Sequence, residues 1–172
     1  VSGDALKFMD AKVMNIGICK ALVQRISYTG DLGYEIYVNA ENQLALYNTL
    51  AQAGKDLSLR PFGMRAMMSL RLDRFFGSWN AEFSPDFTAA ETGMDRFISY
   101  NKPVNFIGKA AAAAEKSAGP TRQLCAFEVD VNDADVSAYE PIWIDGKVVG
   151  FCTSGGYSHH AQKSIAQGFV PT

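Results

Sequence analysis

Apolar and alternating segments in the first forty residues predict a small antiparallel β-sheet. Residues 13–27 are largely apolar and β-prone, and they lead into a turn with two glycines. In residues 34–38, Glu35 and Tyr37 alternate with apolar side chains, which predicts a strand with one polar and one apolar face. The apolar positions of that strand are Tyr34, Ile36 and Val38. Together these segments predict a hairpin-like unit.

Helical spacing of apolar side chains follows in three places. The segment after residue 43 has a helical stripe and reaches Gly54, a residue typical of a helix C-cap. A second helix is predicted from Met64 to about Phe75, after a loop that contains Pro61. An alanine-rich segment that ends near Lys116 predicts a third helix.

The rest of the chain predicts an irregular loop and a second sheet. Residues 77–88 have no regular period and mix aromatic with acidic side chains, as long functional loops often do. After a small linker at residues 117–121, short strand candidates are separated by predicted turns at 145–146 and 155–156. These candidates are residues 122–131, 141–144, 148–153 and 164–170. They predict a small antiparallel sheet that begins a barrel.

Composition excludes several classes of protein. The 172 residues are 48% apolar and 20% charged, which is enough to form a buried core in one domain or in parts of two. A net charge of −2 argues against a general nucleic-acid binder, which would carry a basic excess. No apolar run approaches the ~20 residues of a membrane-spanning helix, so we expect no membrane partner. The start and the end of the sequence suggest a piece of a longer polypeptide.

Cysteine and histidine positions offer no metal or disulfide motif. Cys19, Cys125 and Cys152 are odd in number and far apart, so we expect buried free thiols in a reducing cytoplasm. A mature organellar protein would have the same features. His159 and His160 are neighbours whose side chains diverge, which makes a poor chelating pair. We expect them in a solvated turn, and we expect no metal.

Glu35 is the first candidate for chemistry. A carboxylate fixed on a strand can accept two parallel N–H bonds from a flat amidine-like heterocycle, and Tyr28 lies at the preceding bend. The alternative is an ordinary exposed glutamate. The turn between them lacks the complete glycine pattern of a dinucleotide site and the Lys-Ser/Thr ending of a P-loop, so it does not predict a phosphate cradle.

Arginines on the second helix form the second candidate group. Arg65 and Arg71 are six positions apart and so lie on different sides of the helix. One could reach a ligand carboxylate while the other pairs with Asp73 or Glu91; the alternative is a set of surface arginines in weak ion pairs.

An aromatic and acidic loop forms the third candidate group, and its members are Trp79, Glu82, Phe83 and Asp86. It could close over a flat ligand, or it could simply pack onto the domain. No arrangement of Ser, His and Asp indicates a catalytic triad.

Five motifs in a consistent order resemble those of the aminomethyltransferase family. This family includes the glycine cleavage T-protein and the folate-binding C-terminal regions of dimethylglycine and sarcosine dehydrogenases. The motifs are RISYTGDLGYEI at 25–36, LRLD at 70–73, ETGM at 91–94, NFIGK at 105–109 and VGFCTSGG at 149–156. One such motif would be weak evidence, whereas the ordered set covers nearly the whole chain.

The resemblance implies an α+β fold that is truncated at both ends. It comprises the second half of a folate-binding α+β domain, residues 1–118, and an incomplete antiparallel β-barrel-like domain, residues 119–172. The implied activity transfers a one-carbon unit from a small N-methyl or aminomethyl donor to tetrahydrofolate, in a demethylating enzyme of the dimethylglycine or sarcosine dehydrogenase type. An upstream flavin domain with FAD would then belong to the parent chain.

The resemblance also assigns residues. Glu35 matches the carboxylate that holds the pterin ring, Tyr28 an aromatic beside the folate, Arg65 the arginine that orients the folate, and Trp79 an aromatic near it. The family places that arginine where Met67 stands here. The catalytic acid has no counterpart in this sequence, so we expect the piece alone to be inactive. Two other functions stay open: a stand-alone folate-dependent S- or O-demethylase, and a non-catalytic folate-binding regulatory module.

Overall fold

The computed structural model describes residues 5–172, so the first four residues of the domain predicted for 1–118 lie outside the described residues. The chain forms two compact units, one ending at Met67 and the other beginning at Met68. The boundary expected after residue 118 separates two domains of the family, whereas the division after Met67 separates two compact units. The expected domain boundary therefore stays a prediction. Mixed helices and antiparallel sheets confirm the α+β class.

The first unit contains a three-stranded antiparallel sheet in the order β1-β2-β3. Its strands are β1, Ala11–Ile16, β2, Cys19–Gln24, and β3, Glu35–Tyr37. The apolar segment 13–27 is therefore interrupted by a hairpin turn at Gly17 and Ile18, which the sequence pattern did not predict. Gly17 has a φ of +59°, a conformation that a two-residue hairpin loop requires and glycine adopts readily.

One face of this sheet forms the core of the unit. Leu6, Ala21 and Val23 are buried there. The side chains packed against them are Met14, Ile16, Tyr34, Ile36 and Val38. The predicted alternation of residues 34–38 is confirmed, because its three apolar positions all pack on the core and Tyr37 on the opposite face is exposed.

Two helices follow the sheet. α1 is Gln43–Gly54 and α2 is Met64–Leu72. Gly54 is the last residue of α1 and Lys55 is its C-cap, so the predicted C-cap role of Gly54 is wrong. Two 3-10 turns flank α1, Ala40–Asn42 and Lys55–Leu57. α2 ends three residues earlier than predicted, because the N–H of Phe76 bonds back to the carbonyl of Arg71 and Phe75 adopts a φ of +55°.

The second unit contains a four-stranded antiparallel sheet in the order β4-β7-β6-β5, preceded by a long irregular loop. Its strands are β4, Arg122–Val129, β5, Pro141–Ile144, β6, Lys147–Ser158, and β7, Lys163–Pro171. Its helical segments are the end of α2 from Met68 onward, the 3-10 turn Met94–Phe97 and α3, Lys109–Ala118. The four predicted strands and the predicted alanine-rich helix are confirmed. Within residues 5–172, no helix is long and apolar enough to cross a membrane.

One of the two predicted turns in this sheet is wrong. Asp145 and Gly146 do form a hairpin turn, both with positive φ. Gly155 lies inside β6 instead, which continues to Ser158 before the chain turns. The exposed histidines lie in that turn, as predicted.

Candidate functional site

Glu35 begins β3 on the face of the first sheet that points away from the core. β3 pairs with β2 so that Glu35 lies opposite Gln24 and Tyr37 lies opposite Leu22. Because successive strand residues alternate between faces, the carboxylate and the phenol share one face. Glu35 is half-buried, so part of its side chain is covered and part remains accessible.

The loop between β2 and β3 holds Tyr28 at the same end of the sheet as Glu35. The hydroxyls of Ser27 and Thr29 are 3.0 Å apart, and the N–H of Thr29 donates to Oγ of Ser27 at 3.3 Å. A Cβ on Gly33 would lie 2.8 Å from Cβ of Ser27, so the loop closes tightly only with glycine there. Tyr28 is half-buried in this closed loop.

Tyr37 contacts Glu35, and the sequence did not predict it as a residue of the site. Its phenol hydroxyl donates a hydrogen bond to Oε2 of Glu35. That bond, partial desolvation and the negative charge of the carboxylate raise the pKa of the phenol. The available signal was the period-two alternation, which predicts both side chains on one face but does not by itself pair them.

The other two predicted site residues are exposed. Arg65 lies in the first turn of α2, within the first unit. Trp79 belongs to the second unit, where 77% of its side chain is exposed and its ring meets the ring of Phe83 edge-on at 5.6 Å. The structure thus places Glu35, Tyr28 and Arg65 in one compact unit, and their grouping with Trp79 around one ligand stays a prediction.

A buried ion pair anchors the irregular loop within the second unit. Nη1 of Arg71 lies 3.3 Å from Oε2 of Glu82, and these side chains are 1% and 0% exposed. Glu82 also accepts hydrogen bonds from the hydroxyls of Thr153, at 2.6 Å, and Ser154, and from the N–H of Ser78 at 2.8 Å. Burial would raise the pKa of Glu82, but these bonds and the charge of Arg71 outweigh it and hold that pKa below its usual value.

These contacts correct two sequence-based hypotheses. One of Arg65 and Arg71 was expected to pair with Asp73 or Glu91, whereas Arg71 pairs with Glu82. Its guanidinium also donates to the carbonyl of Phe76 at 2.9 Å and to Oε1 of Gln167 at 3.0 Å. Glu82 therefore supports the packing of the loop and is not available to cover a ligand.

Glu91 forms a second ion pair in the same unit. Its Oε1 lies 2.7 Å from Nε of Arg122, and the N–H of Thr88 donates to its Oε2 at 2.9 Å. Burial acts to raise the pKa of Glu91, but these hydrogen bonds and the charge of Arg122 lower it on balance. Within residues 5–172, no cluster of three His, Cys, Asp or Glu side chains is arranged to hold a metal ion.

We expect the second unit to lose stability as the pH falls through the range below 4.5, the ordinary glutamate value. The folded-state pKa values of Glu82 and Glu91 are depressed, so their contribution is complete above the unfolded-state value and disappears as each carboxylate is protonated in the folded state. Urea unfolding followed by tryptophan fluorescence, at neutral pH and in acid, measures this loss. A Glu82→Gln variant should lose less between the two conditions, and equal losses would contradict the assignment.

Two sequence models of one family match consecutive parts of the chain. The model described as "GCVT N-terminal domain" matches residues 1–102. The model described as "Glycine cleavage T-protein C-terminal barrel domain" matches residues 122–172. Together they match most of the chain, in the order that the five motifs predict.

Similar proteins agree with this match. The chain is 41% identical over 171 residues to a mitochondrial dimethylglycine dehydrogenase of Mus musculus, covering 99% of this chain but 20% of that protein. It is 36% identical over 155 residues to an aminomethyltransferase of Symbiobacterium thermophilum, covering 90% of this chain and 41% of that protein. The crystal structure of aminomethyltransferase T from Bartonella henselae superposes with a TM-score of 0.87 at 24% identity, over 99% of this chain and 46% of that one, which shows the same fold.

Proposed function

Since the chain belongs to the glycine cleavage T-protein family, we propose that it is the folate-binding part of an enzyme that transfers a one-carbon unit to tetrahydrofolate. The 41% identity to a dimethylglycine dehydrogenase supports a parent enzyme that demethylates a small N-methyl donor. The chain spans about a fifth of that relative, so the proposal places donor recognition and a flavin domain with FAD elsewhere in a longer polypeptide.

The position of Glu35 is the observation that carries this proposal. Its half-buried carboxylate lies on the accessible face of the first sheet, at the sheet end where the closed loop holds Tyr28. A carboxylate accepts hydrogen bonds only, and a reduced pterin ring offers adjacent N–H donors along one edge. The Glu35 acceptor therefore fits the N–H edge of a pterin, with Tyr28 as the proposed aromatic neighbour and Arg65 and Trp79 as further proposed contacts.

The residues of this chain would contribute orientation more than acid–base chemistry. When bound, tetrahydrofolate supplies the amine that captures the one-carbon unit. Glu35 would hold the ring edge and fix its position relative to the donor, which is a contribution of proximity and alignment. The acid that moves protons is proposed to lie outside these residues. This chain alone would therefore bind folate weakly and would not catalyse the one-carbon transfer.

We expect Glu35→Ala in the full-length protein to weaken the binding of 5-formyltetrahydrofolate at least tenfold. The substitution removes a charged acceptor whose hydrogen bonds are worth about 1.5–3 kcal/mol each, and about 1.4 kcal/mol corresponds to a factor of ten in Kd. Isothermal titration measures both affinities. Glu41→Ala, an exposed glutamate in the same unit, is the matched control and should bind like the unmodified protein.

Equal affinities for Glu35→Ala and the unmodified protein would overturn the folate assignment. A full-length protein that binds folate but releases no one-carbon unit from N-methyl donors would favour the regulatory module. Turnover with an S- or O-methyl donor would favour the stand-alone demethylase. The cytoplasmic location stays a prediction, and the dehydrogenase of Mus musculus is mitochondrial by name.

A further inference from the structure

We propose that Tyr37 is a positioning residue that holds the Glu35 carboxylate in one orientation for the N–H edge of the ligand. The inference rests on the proposed function for the identity of that ligand. Tyr37 and Glu35 are two residues apart on one strand, so their side chains project from the same face. The phenol donates to Oε2, which leaves Oε1 and the second lone pair of Oε2 available as acceptors.

Glu35 needs such a contact because of where it lies. β3 has three residues and is an edge strand of the described sheet, and Glu35 is its first residue. A long, partly accessible side chain there would sample several rotamers, and ordering it costs conformational entropy. A hydrogen bond that exists before the ligand arrives removes part of that cost from the binding step.

The surrounding face supplies little other electrostatic control of the carboxylate. Tyr37 and Glu35 lie opposite Leu22 and Gln24, neither of which carries a charge. The side chains on this face of the two neighbouring strands are Ala11, Val13 and Asn15 on β1, and Lys20, Leu22 and Gln24 on β2. Lys20 is the charged member of this set, and its register position lies beyond the end of β3. Gln24 is a polar but uncharged neighbour on this face, and the phenol of Tyr37 is the group that donates a hydrogen bond to the Glu35 carboxylate.

The contact also selects the chemistry of the ligand. The carboxylate of Glu35 already accepts one hydrogen bond on Oε2, and a carboxylate accepts hydrogen bonds but does not donate them. The pair should therefore accept a heterocycle edge that carries two N–H groups. It should reject an edge that presents acceptor nitrogens or oxygens, since these would face an uncompensated negative charge.

A double-mutant cycle in the full-length protein tests the proposal through binding. Tyr37→Phe should weaken the binding of 5-formyltetrahydrofolate about three- to tenfold, which is less than Glu35→Ala, because it removes the orienting contact and keeps the carboxylate. The same substitution added to Glu35→Ala should cause no further loss, because Tyr37 acts through Glu35. Tyr47→Phe, on an exposed tyrosine of α1, is the control. Additive losses, or unchanged affinity in Tyr37→Phe, would overturn the proposal.

A ligand-free titration separates this inference from the folate assignment. Ultraviolet absorbance of the unmodified protein minus that of Tyr37→Phe isolates this phenol, which should ionise above the ordinary value of 10.0. Glu35→Ala should bring its pKa back toward that value. If the Tyr37 phenol has its ordinary pKa both in the protein with Glu35 and in the Glu35→Ala variant, the contact is overturned, whatever the affinity for folate. If Glu35→Ala changes the pKa of the Tyr37 phenol but leaves the affinity for 5-formyltetrahydrofolate unchanged, the contact is supported and the folate assignment is overturned.

Discussion

Glu82→Ala is expected to destabilise the second compact unit by about 3–5 kcal/mol, the range measured when one partner of a buried ion pair is removed. The substitution leaves the guanidinium of Arg71 charged at 1% exposure, where water cannot replace the lost carboxylate. It also removes the acceptor for Ser78, Thr153 and Ser154. The free energy of unfolding can be measured with urea, since both tryptophans of the chain lie in this unit.

An exposed ion pair in the same unit provides the matched control. Lys163 and Glu128 form a contact with 52% and 63% of their side chains exposed, so Glu128→Ala should cost at most about 1 kcal/mol. A double replacement of Arg71 and Glu82 by methionine should recover part of the loss, because it removes both charges and keeps most of the volume. A Glu82→Ala variant no less stable than Glu128→Ala would show that the buried pair contributes little.

Local patterns explain why much of the fold was predictable. The alternation in residues 34–38 determined which face of β3 meets the core, since strand side chains alternate whatever the rest of the chain does. The turn at Asp145 and Gly146 was predictable because a two-residue hairpin loop needs two residues that tolerate positive φ. The ordered motifs predicted the family, which the two family models confirm.

Contacts between distant segments explain what was missed. Arg71 reaches Ser154 and Gln167, which are 83 and 96 positions away, and no sequence spacing indicates such a pairing. Glu82 lies in a loop with no regular period, so its burial had no local signal. For the candidate site, the strand pattern and the family resemblance both indicated Glu35 and Tyr28, while Tyr37 required the side-chain contact itself.

Gly155 illustrates a residue whose role only the folded chain reveals, and Gly155→Ala is expected to cost about 3 kcal/mol or more of stability. A glycine pair predicts a turn, but this glycine lies in β6 opposite Ala166 of β7. A Cβ there would lie 2.1 Å from the carbonyl oxygen of Val136. The loop that carries Val136 is fastened to β7 by a 2.6 Å hydrogen bond from Ser164 to Asp135, so it cannot simply move away.

The adjacent glycine is the control that separates this steric effect from the general effect of adding a methyl group. A Cβ on Gly156 would meet Cδ1 of Leu72 at 3.3 Å, and that methyl can rotate, so Gly156→Ala should cost at most about 1 kcal/mol. Urea unfolding of both variants gives the comparison. Neither glycine has a positive φ, so backbone strain does not contribute to the difference. If the two variants were equally stable, the close approach of Val136 to β6 would not be what requires glycine at position 155.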